Sequence, residues 1–188
     1  MWTMAYGDFE FDSIKFPDPK AMIQTLNSKK IKVALWVTPF VEEKASTYNY
    51  LLSKGYLIME LDNKKPYIST WWNGKAALID LSNLEAYNWF LQQLKNLENK
   101  YNVSGFKLDA GDADFLDKPF KSFGNITTIQ YTDLFAGLGQ YFEINELRVS
   151  WLTQPLGLVQ RLRDKSSDWS NDKGCVNQLT RSSFISKY

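Results

Sequence analysis

The amino-acid sequence predicts an α/β protein in which parallel strands are joined by crossover helices. Segments with helical periodicity alternate with short apolar segments that have the length of buried strands. This alternation is compatible with a doubly wound sheet and with a (β/α)8 barrel, and no glycine-rich phosphate-binding fingerprint follows any predicted strand. Because the chain has 188 residues, its length alone predicts one domain.

The first predicted elements are a helix over 20–30 and a strand over 31–38. A Pro-Asp-Pro run at 17–19 is typical of a helix start, and the strand alternates between an apolar and a mixed face. A second helix is predicted over 42–55, where a glycine supplies the C-cap. The segment 56–70 is predicted to be irregular, with a turn before its proline.

The middle of the chain contains the clearest helix of the sequence, for which Ser82 or Asn83 can serve as N-cap. Its apolar side chains recur at helical spacing, and its charged side chains fall elsewhere. These apolar residues are Tyr87, Phe90, Leu91, Leu94 and Leu97. Before this helix, the Trp-Trp-Asn-Gly run at 71–74 leads into a short extended segment over 75–81.

The second half of the chain continues the same alternation. A buried strand is predicted over 103–109, a helix over 127–142 and another strand over 146–151. A further helical segment is predicted around 156–162. The tail over 170–188 is polar and has no strong period, which is typical of a solvated, mobile segment.

The composition excludes several functional classes. The absence of histidine rules out Ser-His-Asp and Cys-His catalysis and histidine-ligated zinc. Because Cys175 is the one cysteine, neither an internal disulfide nor a cysteine-based metal site can form. The 22 Lys and Arg residues nearly balance the 21 Asp and Glu residues, which argues against a nucleic-acid surface. Acid–base chemistry would therefore depend on carboxylates, Lys or Tyr.

Aromatic residues make up 15% of the chain and include seven tryptophans. Since sugar rings pack on flat aromatic side chains, this content favours carbohydrate binding, although tryptophan also serves simply as core. No run of about 18 apolar residues occurs, so no membrane-spanning helix is predicted. The first residues also lack the basic and apolar regions of a signal peptide.

A candidate catalytic carboxylate lies at the end of the strand over 103–109. Strand alternation places Phe106 and Leu108 on one face and Lys107 and Asp109 on the other. Because barrel enzymes carry their chemistry at the carboxyl ends of strands, Asp109 is a candidate nucleophile, and a cation at Lys107 would favour its ionised form. Alternatively, Asp109 only caps the following turn.

Two further interpretations of charged residues stay open on the sequence alone. Asp112, Asp114 and Asp117 could form a calcium loop, although they lack the alternation and closing Glu of an EF-hand. Arg148, on one face of the strand over 146–151 with Glu146, could grip a sugar hydroxyl or form an ion pair with Glu146 or Asp109.

Five separate runs, in order and at matching spacing, resemble glycoside hydrolase family 31, most closely its myogenesis-regulating glycosidase branch. They are Tyr6-Gly-Asp-Phe-Glu-Phe-Asp12, Lys15-Phe-Pro-Asp-Pro19, Leu35-Trp-Val-Thr-Pro-Phe-Val41, Trp71-Trp-Asn-Gly74 and Gly105-Phe-Lys-Leu-Asp-Ala-Gly111. The resemblance implies a retaining α-glycosidase on a (β/α)8 TIM barrel, without a metal or organic cofactor. It further implies an α-linked carbohydrate substrate, possibly an α-galactoside, and a membrane-anchored, lumen-facing parent.

The resemblance also implies roles for individual residues. The nucleophile motif falls on Asp109, and an Arg-x-x-Asp-[Lys/Arg]-x-x-x-Trp acid/base motif falls on Arg161, Asp164, Lys165 and Trp169. By the same matching, Trp72 and Arg148 contact the sugar. Trp36 and Lys107 are added as candidate substrate-binding residues. Without the resemblance, Asp168 would rival Asp164 as the acid.

Two departures from the family pattern limit the expected barrel. An Asp-Asp-x-Trp-Glu run expected just before Tyr6 is absent, and the sequence after Gly174 does not match the later barrel strands. A full barrel needs about 250 residues. The expectation is therefore a partial TIM barrel over 1–174 with an unmatched tail over 175–188. An alternative to the enzyme is a truncated, inactive homologue that retains carbohydrate binding.

Overall fold

The computed structural model of the chain describes residues 1–149, 151, 153–161, 164, 166–171 and 173–176. The helices are α1 (Pro19–Ser28), α2 (Tyr48–Lys54), α3 (Leu84–Tyr101) and α4 (Thr128–Gly137). The strands are β1 (Ala34–Val37), β2 (Phe40–Val41), β3 (Met59–Glu60), β4 (Ile68–Trp71), β5 (Gly74–Leu78), β6 (Gly105–Leu108), β7 (Phe120–Lys121) and β8 (Ile144–Leu147).

Strands β1, β6 and β8 form a parallel sheet in that order. Trp36 of β1 pairs with Lys107 of β6, which in turn pairs with Glu146 of β8. A parallel bridge between Leu147 and Gln160 adds a further segment beside β8. Among the described residues this sheet is open rather than closed into a barrel. Because its strands are parallel, their carboxyl ends meet at one edge, where the polar residues that follow β6 and β8 converge.

Helix α3 confirms the clearest periodic segment of the sequence, whereas α4 covers only the first part of the helix predicted over 127–142, and a 3-10 helix follows over Leu138–Tyr141. Asn83 caps α3, because its side chain accepts a hydrogen bond from the Glu85 backbone N–H at 3.0 Å. Thr127 begins α4 with a capping box that includes Gln130. Buried Phe90 of α3 joins the two helices by stacking on Phe135 of α4 at 6.4 Å. No helix within the described ranges has the length and hydropathy needed to cross a membrane.

The prediction of irregular structure over 56–70 was wrong. Strand β4 occupies Ile68–Trp71 and pairs antiparallel with β5, while β2 pairs with the other edge of β5. The hairpin signal is weak because the buried face of β4 consists of Ser69 and Trp71, so a polar residue occupies one of its two inward positions. This hairpin carries the Trp-Trp-Asn-Gly run: Trp71 pairs with Gly74, and Trp72 lies in the turn.

Several predicted boundaries also needed correction. Helix α2 begins at Tyr48 rather than at residue 42. Strand β8 ends at Leu147, and Trp151, predicted to share its apolar face, is 58% exposed. The described part of 156–162 is not an α-helix: a 3-10 helix covers Gln154–Leu156, and Gly157 then turns with φ 63°. Leu162 and the tail over 177–188 lie outside the described residues.

Gly105, the first residue of β6, is required by the close approach of β8. Its φ is 157°, and a Cβ atom at this position would lie 1.7 Å from the Ile144 backbone oxygen. We expect Gly105→Ala to lower the free energy of unfolding by about 1–3 kcal/mol, because β8 must move away from β6. Urea unfolding measures the effect. Gly137→Ala in α4, where the nearest atom lies at 3.7 Å, should be close to neutral. Equal losses in both variants would contradict the steric explanation.

Candidate active site

Asp109 lies immediately after β6 and is 6% exposed. Its backbone N–H donates to the Val37 carbonyl oxygen at 3.0 Å, which continues the ladder between β6 and β1. Its Oδ1 accepts a hydrogen bond from the Ala110 N–H at 2.9 Å, and its Oδ2 accepts one from Trp36 Nε1 at 2.7 Å. Both oxygens of this buried carboxylate therefore have donors, which stabilises its charged form.

The turn after Asp109 has an unusual backbone. Ala110 adopts φ 60°, a left-handed conformation that costs an alanine roughly 1–2 kcal/mol. At Gly111, a Cβ atom would lie 2.2 Å from the Phe135 ring, so the chain passes directly against α4. Such strain persists only where the surrounding packing imposes it, and it is concentrated at functional sites.

Arg148, one residue beyond β8, is the principal cation beside Asp109. Its Nη1 lies 3.5 Å from Asp109 Oδ1, and its Nη2 lies 3.2 Å from Asp112 Oδ2. All three side chains are at most 9% exposed. The guanidinium also lies over the Trp72 ring, with Cζ 4.8 Å from the ring centroid. Arg148 thus compensates two buried carboxylates and connects them to an aromatic side chain.

The calcium interpretation finds no support in these contacts. Asp112 faces Arg148, and Asp117 accepts a hydrogen bond from the Tyr67 hydroxyl at 2.7 Å, so the two carboxylates serve different partners. Within the described ranges, no group of three or more acidic or cysteine side chains converges as metal ligands would. Asp112 instead belongs to the surroundings of Arg148.

Lys107 does not contact Asp109 as its shared strand face suggested. Its Nζ lies 3.7 Å from Glu146 Oε1 on the neighbouring strand. Among the residues that the structure describes, the cations within 4 Å of Asp109 are Arg148 and Arg161, the latter with Nη2 3.9 Å from Asp109 Oδ1. Of the two ion-pair partners considered for Arg148, the structure shows Asp109 rather than Glu146, and Asp112 is a further partner, while Glu146 pairs with Lys107 and Arg161.

The tryptophans of the site differ in their exposure. Trp36 is half-buried and stacks parallel to Trp71, with ring centroids 6.4 Å apart and an interplanar angle of 9°. Trp71 is 6% exposed and belongs to the core, whereas Trp72 is 51% exposed. Trp72 therefore has the free ring surface that a sugar needs, and Trp36 contacts the Asp109 carboxylate directly.

Asp164 reaches the site through Arg161. Arg161 Nη1 donates to Asp164 Oδ1 at 2.6 Å, while the Nη2 of the same guanidinium faces Asp109. The hydrogen bond from Arg161 lowers the pKa of the Asp164 carboxyl; burial partly opposes this, and the charges of Arg148 and Lys107 add to the lowering. The Asp164 side chain is 79% exposed, so it lies at the solvent side of the cluster.

The other residues of the acid/base motif are less informative. Asp168 Oδ1 accepts a hydrogen bond from the Ser170 N–H at 2.8 Å and thereby shapes a local turn. Trp169 is 74% exposed, and Lys165 lies outside the described residues. The geometry therefore favours Asp164 over Asp168 as the partner of Asp109.

Sequence reasoning missed the position that Arg161 occupies between three carboxylates. Its Nε lies 2.9 Å from Glu146 Oε1, so one guanidinium contacts Glu146, Asp109 and Asp164. The alternation of Glu146 and Arg148 on one strand face was the available signal for Glu146. The helix predicted around 156–162 gave no indication of this position of Arg161, because the described part of that segment is not an α-helix.

Comparisons with known proteins show the family to which the chain is similar. The Glycosyl hydrolases family 31 TIM-barrel domain matches residues 1–184. The chain is 34% identical over 179 residues to the myogenesis-regulating glycosidase of Mus musculus, covering 93% of this chain and 25% of that protein. It is 28% identical over 128 residues to an α-xylosidase of Emericella nidulans, covering 64% of this chain and 15% of that protein.

Solved structures show the same fold. A family 31 sulfoquinovosidase from E. rectale has a TM-score of 0.78 at 20% identity, over 89% of this chain and 27% of that one. A family 31 α-xylosidase from a soil metagenome has a TM-score of 0.74 at 23% identity, over 88% and 26%. These matches confirm a partial TIM barrel rather than a doubly wound sheet. The chain spans about a quarter of the length of these two structures and of the Mus musculus protein.

Proposed function

The chain belongs to glycoside hydrolase family 31, and from this premise we propose that it carries the two catalytic carboxylates of a retaining α-glycosidase. Asp109 is the nucleophile and Asp164 is the acid/base. The observation that carries this proposal is the shared guanidinium of Arg161, which contacts both carboxylates at the carboxyl edge of the parallel sheet. Retaining glycosidases need two carboxyl groups on opposite sides of the scissile bond, about 5–5.5 Å apart.

In the first step, an oxygen of Asp109 attacks the anomeric carbon of the sugar. The bond between that carbon and the glycosidic oxygen breaks, and Asp164 transfers its proton to the departing oxygen. The product is a glycosyl ester on Asp109. Trp36 donates a hydrogen bond to Asp109 Oδ2, and Arg148 places positive charge beside Oδ1, so both groups hold the carboxylate in position before the attack.

In the second step, Asp164 acts as a base and takes a proton from water. The water oxygen attacks the anomeric carbon from the face that the leaving group vacated, and the ester bond to Asp109 breaks. Two inversions give net retention. Because Asp109 returns as a carboxylate, Arg148 and Trp36 again stabilise the departing charge.

Four side chains are proposed to bind the sugar. Trp72 offers an exposed ring, and Arg148 lies over that ring while facing Asp109, so a hydroxyl beside the nucleophile can reach its guanidinium. Trp36 borders the nucleophile, and Lys107 points to the same sheet face beside Glu146. These side chains come from β1, β6, the residue after β8 and the hairpin turn, so segments far apart in the sequence contribute to the proposed binding site.

The proposed substrate is an α-linked glycoside, and an α-galactoside is the first to test because the nucleophile run resembles the branch in which that substrate is implied. Matched relatives named as α-xylosidase and 1,3-alpha-isomaltosidase make α-xylosides and α-glucosides the necessary comparisons. The purified chain should release a fluorogenic leaving group from at least one of the three substrates. Absence of release above the level of Asp109→Asn would overturn turnover by this chain.

A binding function without turnover is the second candidate. It is favoured by the open sheet among the described residues, since unpaired strand edges leave a catalytic cleft incompletely enclosed. Titration with galactose, xylose and glucose, followed by tryptophan fluorescence, distinguishes this case. Saturable quenching that disappears in Trp72→Ala, together with no release of the fluorogenic group, would establish binding alone.

A further inference from the structure

Glu146 occupies a position that the proposed mechanism does not explain. It lies on β8 in register with Lys107 of β6, and its side chain is 36% exposed. Its Oε1 lies 2.9 Å from Arg161 Nε and 3.7 Å from Lys107 Nζ. Glu146 therefore holds one edge of the guanidinium whose other nitrogens face Asp109 and Asp164.

This arrangement bears on a conflict within the catalytic pair. A general acid must carry a proton, but the 2.6 Å hydrogen bond from Arg161 favours the ionised form of Asp164. A carboxylate that shares the positive charge of Arg161 increases the fraction of Asp164 that carries a proton at a given pH. Glu146 is placed to do so, because it touches the Nε edge of Arg161 whichever terminal nitrogen is engaged.

We propose that Glu146 is a positioning residue that anchors the guanidinium of Arg161 between the two catalytic carboxylates and lets Asp164 take up its proton. This inference rests on the proposed function for the roles of Asp109 and Asp164. Glu146 acts through Arg161: it holds the Nε edge of the guanidinium in place and offsets part of the positive charge that Asp164 experiences.

The charged groups around Asp164 and Arg161 determine the direction in which the pKa of Asp164 should change. The positive charges that act on Asp164 are those of Arg161 in its own segment, Arg148 one residue beyond β8 and Lys107 of β6. Arg161 faces Asp109, Glu146 and Asp164. When Glu146 loses its charge, Arg161 has one fewer competing carboxylate and pairs more fully with Asp164. The pKa of Asp164 should then fall.

The test is a carboxyl-carbon NMR titration of the 188-residue chain at low ionic strength. In Glu146→Gln, we expect the pKa of Asp164 to fall by about 0.5 pH unit. Glu143→Gln is the matched control, because Glu143 lies just before β8 at the opposite end of the sheet and pairs with Lys32. It should leave the Asp164 pKa unchanged. Glu146→Asp, which keeps the charge, should recover most of the shift.

A second set of variants, made in a chain without Arg161, distinguishes a positioning role of Glu146 from direct charge repulsion between Glu146 and Asp164. Glu146→Gln in an Arg161→Met chain should shift the Asp164 pKa by less than half as much, because the residue through which Glu146 acts is gone. An equal shift in both backgrounds, or no shift in either, would overturn the positioning role. Circular dichroism confirms that each variant is folded before titration.

The titration is independent of turnover, so the two proposals can fail separately. If the chain cleaves an α-glycoside, activity is lost as pH rises through the pKa of the acid, and Glu146→Gln should move that alkaline limb to lower pH by the same amount. A shifted pKa without any turnover would leave the positioning role intact and remove the catalytic one.

Discussion

Asp109→Asn is expected to reduce hydrolysis of the preferred α-glycoside by a factor of about 10⁴ or more. An amide cannot form the glycosyl ester, whereas it keeps the shape of the side chain and the hydrogen bond that Trp36 donates. The fold should therefore persist. Initial rates on the fluorogenic substrate measure the effect, and thermal unfolding checks that the protein remains folded.

The same prediction has a direct chemical test. A fluorosugar with an activated leaving group should trap the ester, and peptide mass analysis should locate the added mass on Asp109. Asp117→Asn is the matched control, because Asp117 accepts a hydrogen bond from Tyr67 and, among the described residues, forms no ion pair with Arg148 or Arg161. It should keep both turnover and labelling. Labelling at another carboxylate, or full activity in Asp109→Asn, would show that Asp109 is not the nucleophile.

Arg148→Met is expected to lower the free energy of unfolding by about 3–5 kcal/mol. The substitution leaves Asp109 and Asp112 buried without the cation that pairs with both, and uncompensated buried charge is the costly outcome. The stacking of the guanidinium on Trp72 is lost as well. Urea unfolding measures the change, and activity should fall with it because the nucleophile loses its cation.

Two further variants show whether charge is the cause. Arg148→Met with Asp112→Asn should recover part of the lost stability, because one of the two unpaired carboxylates is then neutral. Lys64→Met removes a cation from an exposed pair with Asp62 and should change the free energy of unfolding by less than about 1 kcal/mol. If the double variant is no more stable than Arg148→Met, lost packing rather than charge explains the effect.

The two carboxylates differ in how well local sequence could place them. Asp109 directly follows β6, in which the apolar residues Phe106 and Leu108 flank Lys107, so its place at a strand end was readable from the chain itself. Asp164 follows a segment that was predicted to be helical but whose described part is not an α-helix, and its link to Asp109 depends on Arg161. Only the resemblance to a known family suggested Asp164 at the level of sequence.

The tryptophans show a similar division. Local pattern identified the Trp-Trp-Asn-Gly run but could not say which ring is free. The pairing of β4 with β5 turns Trp71 into the core, against Phe40 and Tyr6, and leaves Trp72 at the surface beneath Arg148. With four residues in β4 and five in β5, the strands are too short for their alternation to be recognised when one inward residue is Ser69.

By itself, the sequence determined the α/β class, the capped helix α3 and the carboxylate at the end of β6, because these depend on side-chain periodicity and capping between residues close in the chain. The tertiary structure decided which charges meet. Lys107 shares a face with Asp109 but pairs with Glu146, since strand register sets the nearest partner across the sheet. Arg148 and Arg161 reach Asp109 instead, because β8 and the segment beside it bring their guanidinium groups to the turn at Ala110.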